Sequence, residues 1–469
     1  MNINAQLQLE NLQKTLLVLS AKSDEMTLLG DYRWDCQVLS SSKVSSQNIF
    51  KQLAYLEFSC DIKNMRYPVW IDTLSMIDKI SEGYRYAIVL RSPLHILASE
   101  PHSRVFVNNT IFQQIKRIAN PTLPFSLQWR MKEDYPVEPL RIQYKTSDLN
   151  FMYQRLVYWG LYTSVECSND NLTIYINDNF DELPAPMVNQ LSYYDSTLLL
   201  PQSEFYSRDL SEEQQILEDK IICQYYDLMY PQEVLIATGK NKTVFPGAGY
   251  REIYTDQFSD LKQGQRLADL RIAALDWQRN RFLINTNCPF LQLGQRLDIQ
   301  GAYRGPGSYR VIGLKHQFSV EQGLPNMQGY TLPAGYSNRL VLIPYQTEYR
   351  PDFRPYQKPI QNFLSATVTG SKDQVCIDQN GQYEVRLDFD TENRDITSPP
   401  LRLAQMHAGS DYGTHFPLKP GSEVLLLCLN GDVDQPVILG ALPNEENPWP
   451  STFFTDPRTV AVLGASVSD

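Results

Sequence analysis

No stretch of this 469-residue chain approaches the roughly 18 consecutive apolar residues that a bilayer-spanning helix needs. The N-terminus, MNINAQLQLENLQKTLLVLS, lacks a basic segment leading into an apolar run, so it does not read as a signal peptide. Positive charge is also short. Against 53 Asp and Glu stand 42 Lys and Arg, a net charge of −11, and no long basic run occurs. That balance excludes nucleic acid and anionic membrane as natural partners. Cysteine is sparse: Cys36, Cys60, Cys167, Cys223, Cys288, Cys376 and Cys428 are odd in number, widely spaced and never in a CxxC. Zinc sites and a disulfide framework are therefore not expected, and free thiols in a reducing cytoplasm are.

Catalytic signatures are missing as well. No GxSxG, HExxH or SxxK occurs. ATGKNKT (237–243) has a Gly-Lys pair without phosphate-loop spacing and reads as a surface turn, as does GPG (305–307). His95 and His102 lack helical i, i+4 spacing and a partner acid, so they read as ordinary histidines. The sequence thus offers no catalytic residue, no cofactor site and no metal site.

What is present is tyrosine, 28 copies, together with 29 Pro and 23 Gly, a composition of sheets, turns and large interfaces. Short β-branched and aromatic runs dominate residues 1–335, such as YAIVL (86–90), NLTIYI (171–176) and RVIGL (310–314). Two helical stretches interrupt them. In NNTIFQQIKRIAN, Ile111, Phe112, Ile115 and Ile118 share one face, Asn109 or Thr110 supplies the cap, and Pro121 follows. In SDLNFMYQRLVYWG, Leu149, Met152, Tyr153, Leu156 and Val157 recur at helical spacing between Ser147 as cap and Gly160 as stop. Residues 336–362 carry Pro344, Pro351, Pro355 and Pro359 and read as an extended connector. From Phe363 a run of strand candidates follows: FLSATVTG, QVCID, QYEVRLDF, LRLAQMH, EVLLLCL and PVILGA. In the third, Tyr383, Val385, Leu387 and Phe389 alternate with Glu384, Arg386 and Asp388, and Asn380-Gly381 signals a type I′ hairpin before it. Five or six short strands in about 80 residues suggest a small closed barrel of the OB type.

Two stretches resemble a known family. RIQYKTSDLNFMYQRLVYWGLYTSVE (141–166) is similar to the VgrG signature at Arg141, Gln143, Tyr144, Ser147, Asp148, Phe151 and Gly160. It departs where Val157, Tyr158 and Trp159 replace an acidic run, which suggests a helix buried on more sides than usual. LRLAQMHAGSDYGTHFPLKPGSEVLLLCLNGDVDQPVILGALPNEENP (401–448) resembles the family's OB domain at Gln405, Gly409, Tyr412, Gly413, Gly421, Glu423, Gly431, Asp432, Asp434, Pro436 and Gly440. Phe389 and His407 stand where that family usually has Trp. All of these positions read as scaffold, since none assembles a nucleophile, base and oxyanion donor.

The resemblance implies a mainly β fold of β-barrels with inserted helices. Residues 1–335 would form a phage-hub-like region of two related barrels, 336–362 a Pro-rich connector and 363–445 an OB-fold domain. Residues 446–469 would be the start of a shaft or a truncated tail, with the C-terminal β-helix needle largely absent. The implied protein is a structural, non-enzymatic homotrimeric spike of a type VI secretion machine. It would cap a hexameric tube within the baseplate and puncture target membranes to deliver effectors. A PAAR-type tip protein would bind only a longer needle. Assembly would occur in the bacterial cytoplasm, followed by secretion. The alternative is the hub of a contractile phage tail. A spike fused to a hydrolase or toxin fits less well, because only 25 residues follow Asn444.

Overall fold

The computed structural model describes residues 3–448 apart from 10–12, 46–48, 51, 61–62, 120–122, 169–170, 196–198, 202, 227–230, 255–256, 303–304, 306, 322–332, 357–361, 372–374, 392–394 and 410–411. The tail reading for 449–469, and Pro306 of the GPG turn, lie outside the described residues.

The chain divides into two compact units. One comprises 1–100, 115–135 and 147–357; the other comprises 101–114, 136–146 and 358–469. The chain therefore passes between them at 100/101, 114/115, 135/136, 146/147 and 357/358.

The first unit is built on a 13-stranded sheet that closes on itself twice. One circuit runs Asn4–Leu9, Leu53–Cys60, Lys63–Ile80, Gly83–Arg91, Arg33–Ser40 and Lys14–Ser23, and returns to its start through pairs such as Leu7↔Leu16. The other runs Ser308–Ser319, Arg296–Gln300, Gln190–Tyr193, Tyr206–Gln214, Asn280–Thr286 and Gly335–Pro344, and closes through pairs such as Leu314↔Leu340. A seam at Ser20↔Ser319 and Ala21↔Phe318 joins the circuits. Closure leaves each ring without a free edge, which would otherwise recruit another strand. These are the two barrels expected. A shared aromatic cluster fills the region of the seam, with Trp34, Phe58, Tyr67, Phe318 and Tyr336 around His316.

Gly335–Pro344 corrects one reading. The start of the supposed connector is a ring-closing strand, and Pro344 is tolerated at its last residue, where the ladder ends.

Three helices are described. α1 (Ile111–Ile118) begins with a capping box in which Thr110 Oγ1 accepts from Gln113 N and Gln113 Oε1 accepts from Thr110 N. α2 (Asp148–Tyr158) is capped by Ser147, whose hydroxyl accepts the Asn150 N–H at 3.3 Å. α3 (Leu261–Asp276) was not expected. Asp260 caps it through Gln263 N at 2.8 Å, and its buried face lies over the three-stranded sheet of Lys220–Tyr226, Val234–Lys240 and Tyr250–Ile253.

The second unit holds a four-stranded sheet ordered Val385–Leu387, Phe363–Val368, Glu423–Cys428 and Pro436–Leu442. Bridges Tyr383↔Leu401 and Leu403↔Ile438 bring residues 401–403 back onto it. Tyr383, Val385 and Leu387 are buried while Glu384 and Asp388 are exposed, as their alternation requires. QVCID forms no strand over its described residues. Asp378 diverts that segment into a turn: its carboxylate accepts the Asn380 and Gln382 N–H groups, both at 2.8 Å. Gly381 sits at φ +71° but Asn380 is not in the left-handed region, so the turn is not type I′. LRLAQMH likewise contributes single bridges rather than a continuous strand.

Candidate functional site

Arg141, Gln143, Asp432 and Asp434 meet in one buried polar junction within the second unit. Arg141 and Gln143 stand on the strand Glu138–Ser147, which pairs with Pro101–Asn109 to make an isolated two-stranded ribbon, and Asp432 and Asp434 lie in the loop before Pro436. Such a ribbon is marginal alone. Val105, Leu140 and Ile142 offset this by burying themselves against Leu364, Val385, Leu426 and Ile438 of the barrel. Carboxylates from barrel loops then take ribbon N–H groups that no strand satisfies. Asp434 Oδ1 accepts from Ile142 N at 2.6 Å, and Asp390 Oδ2 accepts from Val105 N at 2.9 Å.

Charge is handled in the same place. The Arg141 guanidinium lies 3.0 Å from Glu138 and 3.5 Å from Asp434, with all three side chains at most 4% exposed. Glu138 also accepts from Gln114 Nε2 at 2.7 Å. Gln143 accepts from Arg104 Nη1 at 3.1 Å and donates to the Thr146 carbonyl at 2.9 Å. Asp432 holds the supporting loop by accepting the Asp434 N–H at 3.1 Å and Gln435 Nε2 at 3.2 Å. Burial pushes the neighbouring Cys428 thiol up to about 11, and the Asp432 and Asp434 carboxylates add to the shift. This arrangement fixes geometry: Arg141, Glu138, Gln143, Asp432 and Asp434 each engage at least one other protein group. Glu138, Gln114, Arg104 and Asp390 were not singled out from sequence, and no local pattern marks them.

The remaining motif positions shape the chain. Tyr144 meets Phe389 edge-on at 5.1 Å. Gln405 lies 3.3 Å from His415 Nδ1, and Glu423 accepts from Asn444 Nδ2 at 3.1 Å. Ala408–Gly409 pairs with Tyr412–Gly413, and His407 rests 5.0 Å from the Tyr412 ring. Gly421 and Gly431 occupy φ +86° and +75°. Pro436 opens the last strand opposite Cys428, and Gly440 lies beside the bulge in that pair.

Ser147, Asp148 and Gly160 belong to the first unit. There α2 is buried along almost its whole circumference, with only Asn150 exposed. The departures from the family pattern explain how. Arg271 of α3 donates to the Tyr158 carbonyl at 2.8 Å, satisfying the α2 C-terminus. Tyr158 donates to the Gln257 carbonyl at 3.0 Å, and Trp159 meets Tyr135 edge-on at 5.6 Å. Gly160 turns the chain at φ +68°, where a Cβ would stand 2.8 Å from Leu270 Cδ2.

His95 Nδ1 lies 3.9 Å from Asp31, an acid that the spacing along the sequence did not reveal. Among the described residues no cluster of three or more His, Cys, Asp or Glu could hold a metal, and no helix is long and apolar enough to cross a membrane. No disulfide joins any two of the seven cysteines, all of which lie among the described residues.

Comparisons with known proteins agree over most of the chain. Residues 50–323 match the family described as phage tail baseplate hub (GPD), and 366–442 match the type VI secretion system/phage-baseplate injector OB domain. The type VI secretion system spike protein VgrG3 of Vibrio cholerae is 24% identical over 98% of this chain and 46% of its own length. The actin cross-linking toxin VgrG1 of the same species is 24% identical over 81% of this chain and 35% of its own. The chain thus spans less than half the length of these two relatives. Among solved structures, the E. coli c3393 protein, a type VI secretion component described as similar to the T4 tail proteins gp27 and gp5, superposes with a TM-score of 0.66. It is 17% identical and is covered to 99%, against 93% of this chain. A chain of the lidless PdpA-VgrG complex gives a TM-score of 0.61 at 11% identity, over 95% of this chain and 87% of that one.

Proposed function

This chain belongs to the phage tail baseplate hub family as a VgrG-type spike protein, and from that premise we propose that it works as a homotrimeric hub which caps a hexameric tube. The observation that carries the reading is the double closure of the first unit. Two barrels per chain become six around a threefold axis, and six units can meet a hexameric ring position for position. Sheath contraction then drives the assembly as a stiff wedge through the membrane and delivers effectors. The work is mechanical and needs no catalytic group. Baseplate proteins and effectors are its partners, with a PAAR-type tip protein on any longer needle. Assembly takes place in the cytoplasm and injection follows.

Light scattering on purified protein tests the assembly: a mass near three times 54.0 kDa is expected. A stable folded monomer at micromolar concentration would refute the trimer. Hydrolysis of peptidoglycan, phospholipid or nucleotide above a blank, lost on one point substitution with folding intact, would refute the mechanical reading. The match to a phage hub family also supports a second setting, the baseplate of a contractile phage tail. The neighbouring genes decide between the two.

A further inference from the structure

We infer that the outer face of the second barrel carries a docking surface for an acidic, extended segment of a partner protein, centred on Lys315 and Arg339. Strand register places a row of polar and cationic residues side by side. Arg208 stands opposite Asn285, Asn285 opposite Arg339, and Arg339 opposite Lys315. Two residues on, Gln317 shares the Lys315 face and stands opposite Lys22. Three strand spacings of ~4.8 Å separate Arg208 from Lys315, a row of ~14 Å.

Two like charges directly opposite each other destabilise a sheet. Among the described residues neither Lys315 nor Arg339 has an ion-pair partner, and both are exposed. Asp209, next to Arg208, is engaged by Arg208 at 3.3 Å and Asn285 at 3.1 Å. Residues 322–332, QGLPNMQGYTL, contain no acid that could serve from within the chain. A recess of about 540 Å³ opens along the row, and its lining contains no Asp or Glu.

A concentration of cations on a chain of net charge −11 selects the partner by size. A long polyanion such as nucleic acid extends past the ~10 Å range of the row at moderate salt and meets the acidic remainder of the protein. A short carboxylate-bearing strand stays within that range. Its backbone also finds amide and hydroxyl groups at Asn285, Gln317 and Ser337.

The test uses the full chain and fluorescence anisotropy with three probes: a labelled Glu-Ser repeat peptide, a Gln-Ser peptide of equal length and a short DNA duplex. Only the Glu-Ser peptide should bind, with affinity falling steeply as salt rises. The Lys315→Glu, Arg339→Glu double variant, with unchanged circular dichroism, should bind about tenfold more weakly or worse. Absence of binding, equal binding of the Gln-Ser peptide, tighter binding of the duplex, or full affinity in the double variant each overturns the assignment. If the double variant misfolds, Lys315→Gln and Arg339→Gln replace it. Each should weaken the peptide about threefold, and unchanged affinity in both overturns it equally.

Discussion

Replacing Asp434 with alanine should loosen the second unit by an amount the junction geometry sets. The carboxylate does two jobs: it accepts the Ile142 N–H at 2.6 Å and stands 3.5 Å from the Arg141 guanidinium. Alanine leaves that buried N–H without an acceptor, which costs about 1–3 kcal/mol. Stripping a buried charge of its partner costs about 3–5 kcal/mol. Arg141, however, keeps Glu138 at 3.0 Å, so this second contribution shrinks to about 1 kcal/mol. The expected total is about 2–4 kcal/mol, or a roughly 30- to 1000-fold rise in the opening equilibrium. Tryptophan fluorescence reports it poorly, because five of the six tryptophans, Trp34, Trp70, Trp129, Trp159 and Trp277, lie in the first unit. Hydrogen exchange read by mass spectrometry on Phe363–Val368 and Glu423–Cys428 reports the right unit. Asp434→Asn retains an oxygen for the Ile142 N–H and removes only charge, so it should cost about 1 kcal/mol. Equal damage from Asn and Ala would show that charge dominates and would refute the reasoning, as would an alanine effect below about 0.5 kcal/mol.

Three further outcomes are expected. Burial lowers the pKa of the His316 imidazole to about 3, whereas the unfolded chain titrates near 6.5, so the unfolded state binds the extra proton and stability falls as pH drops through that window. His316→Gln should flatten the pH slope of unfolding by up to about 1.4 kcal/mol per unit between pH ~6 and ~4; an unchanged slope would show that this histidine is not the titrating group. Gly160→Ala should cost about 1–3 kcal/mol in a urea melt, more than Gly421→Ala, because both leave a positive φ but only Gly160 has neighbours within 4 Å; equal costs would remove packing from the explanation. Under native alkylation the exposed Cys167 and Cys376 should be labelled first, while Cys36, Cys223, Cys288 and Cys428 stay protected until unfolding. Rapid labelling of Cys288, whose thiol burial raises to about 12, would mean that its core opens readily.

The legibility of the sequence varied with the distance over which each feature is specified. α2 could be read because cap, periodicity and stop all fall within fourteen residues, Ser147 to Gly160. α3 could not, although Asp260 and Gln263 form its cap. Gly264 lies in its first turn, and Gln263, Gln265 and Arg266 delay the apolar face until Leu267. Single strands such as Gly83–Arg91 announced themselves by composition. Ring closure, in contrast, depends on pairs like Ser20↔Ser319, separated by most of the chain, and the two barrels were expected only through family resemblance. The junction has the same limit. Arg141 and Asp434 were each marked by a motif, but they stand 293 positions apart, and nothing local says that they meet. Glu138 and Asp390 carried no mark at all.

The five passages of the chain between its two units bear on inheritance. A module joined at one point can be exchanged by one recombination event. Here the barrel at the C-terminal end cannot. Its interior is completed by Val105, Leu140 and Ile142, encoded more than 200 residues upstream of the barrel's own first strand at Phe363. A chimera spliced anywhere in 336–362 would join a foreign barrel to a ribbon whose apolar face and backbone donors were shaped for another. Only grafts that carry 101–114 and 136–146 along with the barrel should fold, so hub and barrel are expected to descend as one genetic unit while variation collects elsewhere.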